Sequence, residues 1–161
     1  MTLETFEGEV LRGTEWFGRD FAGQRVAVVA PGRDAAQIVP EVAATARAVK
    51  VFQEEPDWVV PMPVPGPNVL GIAVARIFLR RQVKDPWIRR LLTPDHRFGS
   101  RRTAPGLGYY GALRRPGCKL VTWPVYAFVP HGIRTAEGIE HQADVIVLGA
   151  GSLFAKEGLP A

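Results

Sequence analysis

The sequence has very little of what metal centres and disulfide frameworks are built from. Cys118 is its only cysteine, and the three histidines, His96, His131 and His141, stand far apart. A single cysteine excludes an internal disulfide and a cysteine-based metal site, and three scattered histidines offer no plausible zinc ligand set. We therefore expect no metal site in this protein.

Long hydrophobic runs are missing as well. No window approaches the roughly 18 consecutive apolar residues that a membrane-spanning helix requires. Residues Met1–Glu9 include acids and no apolar run, so we expect no secretory signal. These absences predict a cytoplasmic protein without a membrane span.

Charge of one sign does not dominate the sequence, which carries a net charge of +4. Its arginines concentrate between Arg76 and Arg102, where they could form a phosphate-binding or nucleic-acid face. Such a run is more typical of a solvated helix face followed by a loop. We therefore expect no nucleic-acid partner.

What is present is a globular α/β composition. With 161 residues and 47% hydrophobic content, the chain can bury one core, and we expect a single domain over residues 1–161. Arg25–Ala30 is apolar without interruption from Val26 onwards, which is typical of a strand buried on both faces. A helical pattern follows from Arg33 to about Ala48, and Lys50–Gln53 looks like a second strand. Strand, glycine turn, helix and strand in about thirty residues indicate a βαβ unit.

The remaining segments divide the expected domain into regions. Residues 1–24 are a lead-in, and residues 25–60 form the βαβ unit. Residues 61–108 comprise a proline-rich linker, a helix from Val69 to Leu92 interrupted at Pro86, and an arginine-rich loop. Residues 109–161 return as strands at 120–122 and 144–148, with 125–129 pairing with the segment around 133–135 as a small antiparallel element. The fold class expected is a Rossmann-like α/β nucleotide-binding domain.

The turn after the first strand of the βαβ unit resembles the dinucleotide template G-x-G-x-x-G/A. Gly32 and the small residue Ala35 match it, whereas Ala30 replaces the first glycine. A glycine at position 32 would let a pyrophosphate approach the backbone, and the helix beginning near Arg33 would offer free N–H groups. The alternative is a strand–helix turn without a ligand. The residues expected to contact a dinucleotide here are Ala30, Gly32, Arg33, Asp34, Ala35 and Gln37.

The second strand of the unit ends in an acidic pair, Glu54 and Glu55. An acid at this place can accept hydrogen bonds from the adenosine ribose of NAD, and it would repel the additional phosphate of NADP. The alternative is that both glutamates are simply exposed. The residues alone thus leave NADP or NAD open as the dinucleotide.

Several segments together resemble the Baeyer–Villiger and related flavin-containing monooxygenases. Phe6, Gly8 and Trp16 match the F-x-G-x-x-x-H-x-x-x-W fingerprint of that family. Further similarity lies in Val51–Trp58, which is similar to F-Q-R-T-P-x-W, and in Leu92–Arg102, which is similar to L-T-P-x-x-x-x-G-C-K-R. The pair Tyr109-Tyr110, Gly132–Thr135 and Asp144–Gly151 follow in the family order.

The resemblance implies an NADP-binding domain of a flavoprotein that also holds FAD. In such enzymes NADPH reduces the flavin, and oxygen is then inserted into a ketone or a soft heteroatom. By position, Arg102 would be the catalytic arginine that stabilises the negatively charged peroxyflavin. Arg101 would lie near the 2′-phosphate of NADP, and Gly149 and Gly151 would belong to the cofactor-binding segment after the last strand.

The departures from the family pattern concern groups that would touch cofactors. Arg12 replaces a histidine, and Glu54 replaces an arginine that selects NADP. Since the motifs begin at Phe6, we expect the N-terminal FAD-binding unit of the family to be absent from this sequence. We therefore expect a truncated version of the family, consisting of the NAD(P)H-binding part and inactive on its own, with flavin supplied by a partner chain or a homo-oligomer. A non-catalytic nucleotide-binding or interaction module and an ordinary NAD-dependent oxidoreductase remain alternatives, the last weakened because no histidine–acid dyad is visible.

Overall fold

The computed structural model describes residues 3–99 and 104–155. Its centre is a five-stranded parallel sheet made of β1 (Glu9–Arg12), β2 (Arg25–Ala30), β3 (Ala48–Gln53), β6 (Cys118–Val121) and β10 (Val145–Leu148). These strands lie in the order β1–β10–β2–β3–β6. From β2 the chain adds β3 and β6 on one side, whereas β10 and β1 lie on the other. The strand order therefore reverses beside β2, which is the place where open α/β sheets bind their ligands.

The central strands are continuous apolar runs because both faces of the sheet are covered. Val28 and Val29, which point to opposite faces of β2, are both fully buried, and all four residues of β10 are fully buried. This pattern is typical of the middle of a parallel sheet.

Helices cover one face of this sheet. They are α1 (Gly32–Thr45), α2 (Asn68–Gln82), α3 (Pro86–Leu92) and α4 (Tyr109–Leu113). In α1 the buried positions Ala35, Ile38, Val39 and Val42 follow helical spacing and pack into the same core as Val28 of β2. The helix α3 begins where the Asp85 carboxylate accepts hydrogen bonds from the first-turn amides of Trp87 and Ile88.

A three-stranded antiparallel sheet covers the other face. Its strands are β7 (Val125–Val129), β8 (Gly132–Thr135) and β9 (Glu140–Gln142). Phe128 and Ile133 pack there against Val29, Phe52 and Ile146 of the parallel sheet. The predicted pairing of 125–129 with 133–135 is therefore confirmed, as is the α/β fold class.

Several element boundaries differ from those predicted. The helix α1 ends at Thr45, and the segment predicted as one interrupted helix is two helices separated by Val83–Asp85. The lead-in contributes β1 to the edge of the sheet, and the two-residue strands β4 (Val59–Val60) and β5 (Ala104–Pro105) pair with each other. These three strands were missed because very short strands carry almost no periodicity.

None of the helices within the described residues is long and apolar enough to cross a bilayer.

Candidate functional site

The glycine turn predicted from the sequence lies at the carboxyl edge of the parallel sheet. It connects β2 with α1, and the segments that follow β3 and β10 pack against it. The N–H of Glu54 donates a hydrogen bond to the carbonyl of Ala30, and the N–H of Gly149 donates to the carbonyl of Val29. The fold thus brings together the predicted residues of the turn, Glu54 and the segment around Gly149.

The backbone of the turn explains why Ala30 can replace the first glycine of the template. Among the described residues, only glycines have a positive φ, and Ala30 is not in that region. An alanine therefore meets no backbone strain at this position. Pro31, which follows in an extended conformation with φ −64° and ψ 158°, has no N–H to offer to a ligand.

Another backbone segment comes so close to position 32 that only glycine fits there. That segment belongs to this chain, whereas the predicted contact was a pyrophosphate. A Cβ built on Gly32 would lie 2.6 Å from the backbone nitrogen of Asp57 and 3.1 Å from the carbonyl oxygen of Glu55. The N–H of Gly32 donates to that same carbonyl at 2.7 Å. The glycine accommodates the chain's own backbone in this structure.

The next amide of the helix is also paired within the chain. The N–H of Arg33 donates to Oδ2 of Asp57 at 2.9 Å, and the guanidinium of Arg33 lies 3.6 Å from the same carboxylate. The amides of Asp34 and Ala35 both donate to the carbonyl of Pro31. The expectation of free N–H groups at this helix start is therefore wrong, because the segment after β3 supplies acceptors for the first two amides.

Asp57 is a site residue that the sequence reasoning did not identify. Its side chain is fully buried, and its Oδ1 has no hydrogen-bond partner among the described residues. His96, whose Nε2 lies 3.8 Å from Oδ1, is the nearest basic ring. The sequence showed no histidine–acid pair because 39 positions separate these two residues in the chain; the structure does place them side by side.

The segment after β10 lies directly on the turn. The N–H of Gly151 donates to Oδ2 of Asp34 at 2.7 Å, and a Cβ at Gly149 would lie 2.7 Å from Cβ of Ala30. A Cβ at Gly151 would lie 2.6 Å from the guanidinium of Arg33. The side chains of Arg33 and Asp34 therefore occupy the surface of the turn, together with the two glycines.

Glu54 also has partners within the chain. Its carboxylate accepts hydrogen bonds from the hydroxyl of Ser152 at 2.9 Å and from the N–H of Leu153 at 3.0 Å. Burial raises the pKa of this carboxyl above its ordinary value of 4.5, and the two hydrogen bonds oppose that change. Glu54 is thus half-buried and partnered, which excludes the alternative that it is simply exposed, whereas Glu55 has an exposed side chain.

Two clefts open beside this edge of the sheet. One, of about 670 Å³, has both acidic and basic residues in its wall, namely Glu54, Glu55, Pro56, Trp87, Arg90, Leu91, Thr93, Asp95 and His96. The other, of about 240 Å³, is more apolar and lies between the ends of β3 and β6, where it is lined by Phe52–Glu54, Thr122–Val125, Leu153 and Phe154. Glu54 lines both clefts, so it stands between them.

The remaining predicted site residues are placed differently. Ala35 is fully buried in the core beneath the turn, and Gln37 is exposed one turn further along α1. Arg101 and Arg102, predicted to lie near the 2′-phosphate and to be catalytic, fall outside the described residues. Within the described ranges there is no group of three or more histidine, cysteine or acidic side chains that could hold a metal ion.

The geometry fits a dinucleotide pyrophosphate only if the segment after β3 moves away. The first two amides of α1 are paired, Pro31 offers none, and the carboxylate of Asp34 lies on the turn. A phosphate placed there would meet negative charge and no unpaired donor in the first helical turn. The arrangement as it stands is therefore a dinucleotide-type turn closed by its own chain.

Comparison with known proteins gives a consistent family relationship. No family model matches the chain. It is 30% identical to a Baeyer–Villiger monooxygenase of Pseudomonas aeruginosa, and 30% identical to one of Streptomyces coelicolor; each alignment covers 92% of this chain. The chain spans 36% of the length of these two relatives.

The fold comparison points the same way. A solved structure of oxidised steroid monooxygenase bound to NADP superposes with a TM-score of 0.81 and 23% identity, over 94% of this chain and 43% of that chain. This likeness establishes the fold, and the sequence similarity supports the resemblance found in the motifs.

Proposed function

Since the chain is a relative of one region of the Baeyer–Villiger monooxygenases, we propose that it is the part of such a flavoprotein that binds NAD(P)H. The observation that carries this proposal is the β2–turn–α1 unit at the point where the strand order of the sheet reverses. Dinucleotides bind at this point in folds of this class. Among the described residues there is one turn of this kind, so these residues account for one dinucleotide.

The oxygenation chemistry of the family belongs to its flavin, which a protein must bind and orient. We propose that FAD is held outside the described residues, on another segment or on a partner chain. On this proposal, the role of the present residues is to bind and position the nicotinamide dinucleotide, and the isolated chain has little or no ketone- or sulfide-dependent turnover.

The dinucleotide that suits this site best is NAD. Glu54 and Asp34 carry negative charge beside the turn, and the larger cleft adds Glu55 and Asp95 to its wall against Arg90. The 2′-phosphate of NADP would bring about two more negative charges to this place. An acid near the adenosine ribose of NAD accepts a hydrogen bond from its 2′-hydroxyl, which in NADP carries the phosphate.

A titration with NADH and with NADPH tests the proposal. We expect NADH to bind about tenfold more tightly than NADPH, a ratio that corresponds to about 1.4 kcal/mol. Glu54→Gln should narrow the ratio, because it removes the charge and keeps an acceptor for Ser152. Glu41→Gln, at an exposed position of α1, is the matched control and should leave the ratio unchanged. Binding of neither dinucleotide would contradict the proposed function, and tighter binding of NADPH would contradict the preference.

The paired amides of the turn favour a second candidate. A turn whose donors are already used could serve a non-catalytic module that keeps the family fold for interaction with another protein. This candidate predicts that neither NADH nor NADPH raises the thermal stability of the protein, whereas a protein that binds either one is stabilised once the ligand concentration exceeds its Kd.

A further inference from the structure

We infer that acceptor atoms of the segment Glu54–Asp57 occupy the first amides of the turn, an arrangement we call the self-ligated turn. The Asp57 carboxylate lies where a pyrophosphate would bind. This inference rests on the proposed function for its ligand. It differs from that function in naming which residue of this chain opposes binding.

The first step is the number of donors. A pyrophosphate at a helix N-terminus is held by backbone N–H groups of the first turn. Here the N–H of Gly32 donates to the Glu55 carbonyl at 2.7 Å, and the N–H of Arg33 donates to Asp57 at 2.9 Å. One short segment therefore takes both donors.

The second step is space. The hypothetical Cβ of Gly32 would be 2.6 Å from the Asp57 nitrogen, so the segment lies in contact with the glycine backbone. The same face of a glycine is the one that a pyrophosphate approaches in dinucleotide-binding turns. The segment and a phosphate group cannot both occupy it.

The third step is the state of the carboxylate itself. Asp57 is fully buried, yet its Oδ1 has no hydrogen-bond partner among the described residues, and the nearest basic nitrogen of His96 is 3.8 Å away. A buried carboxylate with one oxygen unsatisfied is a costly arrangement. It is the kind of contact that an external anion with more acceptor oxygens can replace.

Release of Asp57 would supply two groups to a ligand. The backbone N–H of Arg33 would become available, and the guanidinium of Arg33, now 3.6 Å from Asp57, would lose its nearby acid. A guanidinium can form paired hydrogen bonds with phosphate oxygens. Removing this carboxylate thus frees one of the two amide donors and the Arg33 guanidinium, and it removes the side chain that holds the segment against the turn.

The test uses the full chain and the variants Asp57→Ala and Asp57→Asn, each titrated with NADH and with inorganic pyrophosphate. We expect Asp57→Ala to bind both probes at least fivefold more tightly than the unmodified chain. Asp57→Asn removes the charge but keeps an acceptor for the Arg33 amide, so its gain should be smaller. Asp144→Ala, which removes an aspartate at the opposite edge of the sheet, is the matched control and should change neither affinity.

Amide hydrogen exchange at Arg33 provides a readout without ligand. We expect slow exchange in the unmodified chain and faster exchange in Asp57→Ala. Equal exchange, or equal affinity of all variants for pyrophosphate, would overturn the self-ligated turn, even if NADH binds and the proposed function stands. Pyrophosphate binding by Asp57→Ala without NADH binding by any variant would support the self-ligated turn and overturn the proposed function. If Asp57→Ala does not fold, Asp57→Asn carries the same comparison.

Discussion

Two aspartates at opposite edges of the same sheet each accept a hydrogen bond from the backbone N–H of an arginine, but their surroundings differ. Asp144, at the amino edge, accepts a hydrogen bond from the N–H of Arg25 at 2.8 Å. Asp57, at the carboxyl edge, accepts one from the N–H of Arg33 at 2.9 Å. The Asp144 side chain is 39% exposed, whereas that of Asp57 is fully buried.

The difference lies in how completely each carboxylate is satisfied. Asp144 also receives two hydrogen bonds from the Arg25 guanidinium, at 3.1 and 2.9 Å, which use both of its oxygens. These bonds lower the pKa of Asp144 to about 2. Asp57 keeps one oxygen without a hydrogen bond among the described residues. Asp144 thus holds β10 against β2 through three hydrogen bonds, whereas Asp57 holds the turn through one and keeps an unsatisfied oxygen, which is rare for a buried acid.

The largest effect that tests this comparison is expected from Gly32→Ala. The new Cβ would meet backbone atoms of Asp57 and Glu55 at 2.6 and 3.1 Å, and backbone cannot move as easily as the end of a side chain. We expect the free energy of unfolding to fall by about 2–3 kcal/mol, the cost of overpacking. Urea denaturation followed by circular dichroism measures it.

Gly111→Ala is the matched control for this substitution. Gly111 lies inside α4, and the nearest side-chain atom to its hypothetical Cβ is the Arg114 guanidinium at 3.8 Å. We expect no loss of stability and a gain of up to about 1 kcal/mol, because alanine favours a helix. A loss at Gly32 no larger than the change at Gly111 would mean that the segment Glu54–Asp57 does not press on the turn.

A smaller effect is expected from comparing Asp57→Ala with Asp144→Ala. Loss of Asp57 leaves the Arg33 amide without its acceptor, which costs about 1–2 kcal/mol, as for other helix caps. Loss of Asp144 removes a partly exposed ion pair, so about 1 kcal/mol or less is expected after screening by solvent. Thermal unfolding of both variants at neutral pH gives the comparison, and the reverse order would show that the buried acid contributes little to the fold.

The parallel core of this fold could be predicted from the sequence because its signals are local. Val26–Ala30 and Val145–Leu148 are apolar without interruption, and they lie in β2 and β10. The spacing of Ile38, Val39 and Val42 predicted α1 correctly. The strand β1 was missed because it has four residues, of which Leu11 alone is buried, so it has neither a run nor an alternation to detect.

The candidate site was predicted in part, for a related reason. The position of the turn and of Glu54 beside it follows from the order of strand, turn, helix and strand. The closure of the turn could not be predicted from that order, because the tertiary fold brings together Asp57 and Arg33, which are 24 positions apart in sequence. Tyr109 illustrates the same limit: it is fully buried, and its hydroxyl donates a hydrogen bond to the side chain of Gln53 at the end of β3, which is far from it in sequence. Local patterns do not encode such long-range hydrogen bonds.

The smallest expected effect is the pH dependence of stability, which has opposite signs for Asp144 at the amino edge and Glu54 at the carboxyl edge of the sheet. The pKa of Asp144 is lowered in the folded state, to about 2 from an ordinary value of 3.8. Its contribution to stability is therefore complete above pH 4 and is lost as the pH falls towards 2. The pKa of Glu54 is raised above its ordinary 4.5 by burial, so its contribution is complete below about pH 4.5 and is lost as the pH rises through the folded pKa.

Stability of Glu54→Gln and Asp144→Asn, measured by urea denaturation between pH 3 and pH 7, separates these two signs. Relative to the unmodified chain, Glu54→Gln should gain stability as the pH rises above 4.5, because it removes a charge that burial disfavours. Asp144→Asn should be less stable at neutral pH, and its deficit should shrink as the pH falls below 4. Both differences should stay below about 1 kcal/mol, since both carboxylates are partly exposed to water. If the stabilities of both variants, relative to the unmodified chain, changed with pH in the same direction, the contrast between Asp144, held by an arginine, and Glu54, made less acidic by burial, would be wrong.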